Sequence, residues 1–95
     1  MKKRKPTHPG LVFRTKILEA HNLTVKEVAP YLKVSRQTLS TVINGGELTL
    51  SMASKFAVAT DTSPEFWYNL QVKYNLWKQI LLYLQMEKTL GMEVV

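Results

Sequence analysis

Residues 24–44 read TVKEVAPYLKVSRQTLSTVIN, and this stretch decides the fold. Thr24 stands three residues before Glu27 at the head of an apolar-periodic run. That spacing is a capping box: the Thr24 hydroxyl accepts from the Glu27 amide while the Glu27 carboxylate reaches back to the cap. It predicts a helix from 25 to about 32. Two residues further on, Ser35 supplies another N-cap, for a helix over about 36–44 that Asn44-Gly45-Gly46 stops. Val28, Ala29, Leu32, Val34, Leu39, Val42 and Ile43 are the apolar positions of the pair. Ala29 is small where two crossing helices need close approach, and Val34 is expected to point inward from the turn. The unit is helix, tight turn, helix.

The second helix of this unit carries a polar face of Ser35, Arg36, Gln37, Thr38, Ser40 and Thr41. Arginine can donate in pairs to guanine, glutamine can pair with adenine, and hydroxyls suit either base. A helix that starts at Ser35 and Arg36 also presents amides and positive potential to a phosphate. Residues 28–46 hold Lys33 and Arg36 and no Asp or Glu, so nothing in the stretch repels a polyanion. These features fit a helix that lies in the major groove of DNA.

On the N-terminal side, Pro9-Gly10 separates a basic tail from residues 11–21, whose Leu11, Val12, Phe13, Ile17, Leu18 and Ala20 suit an amphipathic helix ending near His21-Asn22. On the C-terminal side, Thr49 is expected to cap a helix through about Ala59. Leu50, Met52, Ala53, Phe56 and Ala57 would be its core positions. Ser63-Pro64-Glu65 opens the last helix, because proline suits the first helical position and an acid complements the positive helix end. That helix is expected to continue to Leu90, with Gly91 as its stop. No alternating strand pattern competes, and the chain reads as all-α.

The last helix carries two apolar sets. Trp67, Leu70, Tyr74, Trp77, Leu81 and Leu84 recur at spacings of three and four and form one stripe, expected to make dimer or partner contacts. Val72, Leu76, Tyr83, Met86 and Leu90 lie elsewhere on the same helix. One set can cover a small four-helix body; a helix apolar on more than one face implies a partner for the other. A two-fold dimer through these helices would hold two groove-reading helices about 34 Å apart, one DNA turn, and so predicts a palindromic site. The segment Ile80-Leu81-Leu82-Tyr83-Leu84 could serve either the dimer or another protein.

Composition agrees. The 95 residues suit one small domain, and chains this short often gain stability by oligomerising. The formal charge is +6, from 13 Lys and Arg against 7 Asp and Glu, a balance that favours an acidic partner. Four of the 13 cations are Lys2, Lys3, Arg4 and Lys5, so the rest of the chain carries only +2. The tail is either a solubilising segment or an arm that touches DNA. The absence of cysteine excludes a disulfide framework, a thiolate metal site and a cysteine nucleophile. No segment approaches the roughly 20 apolar residues of a membrane span. The basic start is not followed by the apolar run of a signal peptide, so a soluble protein that is not exported is expected, cytoplasmic and, through DNA binding, associated with the nucleoid.

Thr24 through Gly45 resembles the helix-turn-helix of the Cro/phage-repressor superfamily, also called the XRE type. More narrowly, the chain is similar to the HigA/VapI group, the antitoxins of type II toxin–antitoxin modules. The residues that carry this are His8-Pro9-Gly10, Val34-Ser35, Asn44-Gly45, Thr62-Ser63-Pro64-Glu65-Phe66-Trp67 and Asn69-Leu70-Gln71, and the resemblance covers about residues 8–78. It implies a five-helix lambda-repressor-like domain over 11–78, with residues 1–10 as a tail and 79–95 as a helical extension. It also implies a homodimer that binds the promoter of its own operon and neutralises a RelE-like (HigB-type) ribosome-dependent ribonuclease. By position, Arg36, Gln37, Thr38, Ser40 and Thr41 would face the groove, and Thr24, Lys26 and Asn44 would lie near phosphates, with Ser35 at the helix start.

Two residues depart from the pattern. Lys33 stands where such turns usually place glycine, so it is expected to adopt a left-handed conformation. Pro30 lies inside the first helix of the unit, where it removes a backbone bond, and a bend or a 3₁₀ turn is expected there. Other functions are a stand-alone repressor, or an interaction module without DNA affinity. Catalysis has little to build on: His8 and His21 lack an acid or thiol at ligand spacing, and no glycine loop cradles a phosphate. No cofactor or metal is implied.

Overall fold

The computed structural model describes residues 5–84, which form five α-helices and one π-helical segment, with no strand among the described residues. α1 (Pro9–Phe13) runs directly into the π-helical segment Arg14–Glu19, and is followed by α2 (Val25–Leu32), α3 (Arg36–Ile43), α4 (Leu50–Thr60) and α5 (Pro64–Leu84). The expected helix ends at Leu90 and Gly91, the residues Met86 and Leu90, and the cations Lys2, Lys3 and Arg4 lie outside the described residues. The all-α expectation holds.

Local chemistry sets the helix starts. Thr24 and Glu27 form the full capping box, Ser35 accepts from the Thr38 amide, Thr49 accepts from the Met52 amide, and Ser63 accepts from the Phe66 amide ahead of Pro64. Four turns place a residue at positive φ: Asn22, Lys33, Asp61 and Gly45. Lys33 sits at φ 56° and ψ 43°, as expected for a residue in a glycine place. The amide of Val34 reaches back to the carbonyl of Ala29 and that of Lys33 to Pro30, which closes α2 in the Schellman pattern. The 3₁₀ turn expected at Pro30 is absent; α2 is α-helical from Val25 to Leu32. The amide that Pro30 lacks would have bonded only the carbonyl of Lys26, in the exposed first turn where water can replace it.

The first helix differs more. It begins at Pro9, two residues before its expected start, because His8 acts as the N-cap: its Nδ1 accepts from the Gly10 amide at 2.9 Å. His8, Pro9 and Gly10 are buried, so the folded body includes residues expected to belong to the tail. The expected α-helix over 14–19 is π-helical. The Thr15 hydroxyl bonds the Leu11 carbonyl at 2.9 Å, and the Thr15 carbonyl accepts from Ala20 five residues on. Such back-bonding competes with the regular helical ladder.

An aromatic cluster holds α1, α4 and α5 together. Phe13 stacks on Phe56 with centroids 3.9 Å apart, and the Trp67 ring meets Phe56 edge-on at 5.2 Å. The Trp67 indole N–H is satisfied by the Thr62 hydroxyl at 2.7 Å. Trp67 is 2 % exposed and is thus a core residue; its expected role in dimer or partner contacts is corrected. Leu70 packs against the same core, and Tyr74 and Trp77 are half-buried. The stripe expected to meet a partner therefore mostly covers the chain's own body. Farther along, Leu81 and Leu84 are exposed, and so are Val72, Leu76 and Tyr83 of the other set. Leu50, expected in the core, is exposed as well, because it is the first residue of α4 and precedes the face that packs.

Candidate nucleic-acid interface

Three glycines and a glutamine position α3 against the body. A Cβ on Gly10 would lie 1.9 Å from the Val42 carbonyl oxygen and 2.9 Å from the Ile43 Cα. Glycine is required here by the close approach of α1 to the last turn of α3. At the same end the amides of Gly45 and Gly46 bond the carbonyls of Val42 and Thr41, and Gly45 takes φ 107°. The loop that follows is pinned from α5: the buried Gln71 accepts from the Leu48 amide at 2.8 Å and donates to Asn75 at 3.0 Å. Without Gln71 that buried amide would be left unpaired.

Neither Gly10 nor Gln71 stands out as a supporting residue in the sequence. Pro9-Gly10 reads there as a break, whereas the structure makes it a packing contact. Gln71 has one signal: it lies four residues after Trp67, on the same helix face.

His8 belongs to the same support. Its ring meets Tyr74 edge-on at 4.8 Å. Burial lowers its pKa below the ordinary 6.5; the backbone of Gly46 and the carboxylate of Glu47 favour the cation, and Lys78 opposes it, but burial outweighs them. The neutral form is also the one that can cap α1, since Nδ1 must carry a lone pair toward the Gly10 amide. Lys5 reaches over the Trp77 ring at 5.5 Å, which attaches the N-terminal segment to α5.

The expected base-reading residues lie together on α3. Arg36, Gln37, Thr38 and Thr41 are exposed, and Ser40 is half-buried. Their hydrogen bonds separate them. Thr41 donates to the Gln37 carbonyl at 2.8 Å, Ser40 accepts from Asn44 at 3.3 Å, and Thr38 accepts from Ser35 at 2.8 Å. Among the described residues, no hydrogen bond engages the Arg36 guanidinium or the Gln37 amide group. These two side chains are left with their full donor and acceptor sets for a ligand.

The expected phosphate neighbours flank this face. Lys26 is exposed on the first turn of α2. Thr24 is exposed too, but its hydroxyl donates to Glu27 at 3.0 Å, which leaves it serving the cap first. Ser35 caps α3, and Asn44, at the other end of the helix, donates to the Ser40 carbonyl at 2.8 Å. The Asn44 side-chain oxygen accepts from Arg14, a cation that sequence reasoning did not single out.

Away from α3, the π-helical segment, α2 and α4 enclose a mostly apolar groove of about 950 Å³. Leu23, Tyr31 and Val58 are exposed along it, with Glu27, Lys33 and Lys55 at its polar edges. Among the described residues no helix is long and apolar enough to cross a membrane, and no cluster of three histidines or acids could hold a metal.

Comparison with known proteins agrees with this geometry. The helix-turn-helix family HTH_3 matches residues 16–67. An uncharacterised HTH-type transcriptional regulator of Haemophilus influenzae is 42 % identical, over 81 % of this chain and 73 % of its own length. Antitoxin HigA-1 of Vibrio cholerae is 41 % identical, over 79 % of this chain and 71 % of its own. Among solved structures, the Pseudomonas aeruginosa antitoxin HigA with higBA promoter superimposes with a TM-score of 0.78 at 27 % identity, covering 92 % of this chain and 99 % of that one.

Proposed function

This chain belongs to HTH_3, the XRE type of helix-turn-helix protein that includes HigA-like antitoxins and repressors, and from that premise we propose that it is the antitoxin of a type II toxin–antitoxin module. As a homodimer it binds the promoter of its own operon and represses it. It also neutralises a RelE-like (HigB-type) mRNA-cleaving toxin. Both activities place it in the bacterial cytoplasm, on the nucleoid when DNA is bound.

The observation that carries the DNA half is the open pair Arg36 and Gln37 on an acid-free, capped helix. Arg36 reads guanine and Gln37 reads adenine through the major groove, while Thr38, Ser40 and Thr41 supply hydroxyls and methyls beside them. Lys26 and the N-terminal end of α3, with Ser35, hold phosphate. The exposed part of α5, with Val72, Leu76, Leu81, Tyr83 and Leu84, pairs two copies. That pairing sets two α3 helices about one DNA turn apart, so the operator is palindromic. The groove at Tyr31 and Val58, apart from both α3 and this part of α5, is the apolar surface we assign to the toxin.

Two experiments test this reading. In a gel shift with the promoter region of its own gene, Arg36→Ala with Gln37→Ala should abolish the specific complex while the dimer stays intact; unchanged binding removes the DNA-reading assignment. The product of the adjacent gene should co-purify with the chain and its inhibition of translation should be relieved. Val58→Glu should prevent both without affecting DNA binding. A stand-alone repressor, the reading that fits the regulator-type relative, gives the first result and fails the second.

A further inference from the structure

The two ends of α3 are electrostatically unequal. Its N-terminal end carries the positive pole of the helix dipole. Its C-terminal end carries the negative pole, and the last turn contains no basic residue. A DNA backbone crossing that end meets repulsion unless another element supplies a cation. Arg14, at the start of the π-helical segment, is brought there: its Nη1 donates to Asn44 Oδ1 at 3.4 Å, and Asn44 donates in turn to the Ser40 carbonyl. The Arg14 stem shares a pocket of about 200 Å³ with His8, Leu11, Ile43, Asn44 and Gly45.

Within the chain this guanidinium is poorly used. It has five N–H donors, yet Nε is buried without a hydrogen-bond partner and makes only a long ion pair with the Glu19 carboxylate, at 3.8 Å. The side chain is 40 % exposed, which leaves an outward edge for a ligand. Its place relative to α3 follows from the close approach of Gly10 to Val42, which seats α1 directly on α3.

We propose that Arg14 is a phosphate-binding residue of the DNA interface, gripping the operator backbone at the C-terminal end of α3. The proposal rests on α3 being the helix that reads DNA. A planar guanidinium meets two phosphate oxygens at once. Together with Lys26 and Ser35 toward the other end, Arg14 brackets Arg36 and Gln37 between two phosphate contacts. A phosphate contact carries no sequence information, so its loss weakens every duplex alike.

The test is anisotropy titration of two labelled duplexes, the promoter region of the chain's own gene and an unrelated sequence of equal length, over a range of salt. Arg14→Met should weaken both by a similar factor, on the order of tenfold per protomer for a charged hydrogen bond. The slope of log affinity against log salt should fall by about 0.9 per protomer. Arg14→Lys should keep the slope and lose part of the affinity. Unchanged affinity and slope overturn the proposal. So does a loss at constant slope with helicity retained, which makes Arg14 a support for α3, or a loss confined to the promoter duplex, which makes it a base reader. If Arg14→Met does not fold, Arg14→Gln, which keeps a donor for Asn44, decides by the same slope. Arg36→Ala with Gln37→Ala separates the two ideas: if the pair leaves the preference for the promoter duplex unchanged, the assignment of base reading to α3 fails, while the slope effect of Arg14 is still read on either duplex.

Discussion

α3 and α5 both leave a face in solvent, with opposite chemistry. The face of α3 is polar and cationic, and its hydroxyls are satisfied within the chain, so it is stable in water and waits for a charged ligand. The far part of α5 exposes Leu76, Leu82, Tyr83 and Leu84, all more than half accessible. Such a surface lowers its free energy only by meeting another apolar surface. In the proposed reading the two helices have separate partners: nucleic acid for α3, protein for α5. It also divides α5 itself, because Trp67 and Leu70 serve the body while Leu81 and Leu84 do not.

That division gives the largest expected effect. Trp67→Ala removes an indole packed edge-on against Phe13 and Phe56 and should cost about 3–5 kcal/mol in urea unfolding. Replacing Leu81 and Leu84 with serine should instead leave each protomer folded and shift sedimentation from twice 10.9 kDa to the monomer mass. A large stability loss from the leucine pair with no change of mass would erase the contrast between the two parts of α5.

The support of α3 gives the next effect. Gly10→Ala puts a methyl group against the Val42 carbonyl, and such overpacking should cost about 1–3 kcal/mol or more. Promoter affinity should fall with it, although Gly10 touches no DNA in this reading. Loss of stability without loss of affinity would show that the seat of α3 does not control its reading face.

The smallest effect concerns His8. Its folded pKa lies below 6.5, so above that value both folded and unfolded chains are neutral there and the stability is complete. As pH falls below about 6.5 the unfolded chain binds a proton first, and stability declines until the folded pKa is passed. Melting temperatures from about pH 8 to about pH 5 should show this decline. His8→Asn keeps an acceptor for the Gly10 amide and does not titrate, so its profile should be flatter. Parallel profiles would mean that His8 plays no part in the pH dependence.

What the sequence determined by itself is local. Thr24 with Glu27, Ser35, Thr49, and Ser63 with Pro64 mark four helix starts, because a cap acts over three residues and is written in consecutive letters. The left-handed turn at Lys33 was expected instead from the resemblance to helix-turn-helix proteins, whose turns usually place glycine there. Tertiary structure alone decided the rest. Arg14 meets Asn44 across 30 residues and Gln71 meets Leu48 across 23, and no periodicity encodes such pairs. Gly10 and Trp67 are two further cases: a break and an apolar stripe leave open which neighbour they touch. The reason is physical: capping and helical spacing are near-neighbour effects, whereas close packing is settled only when all the helices compete for one interior.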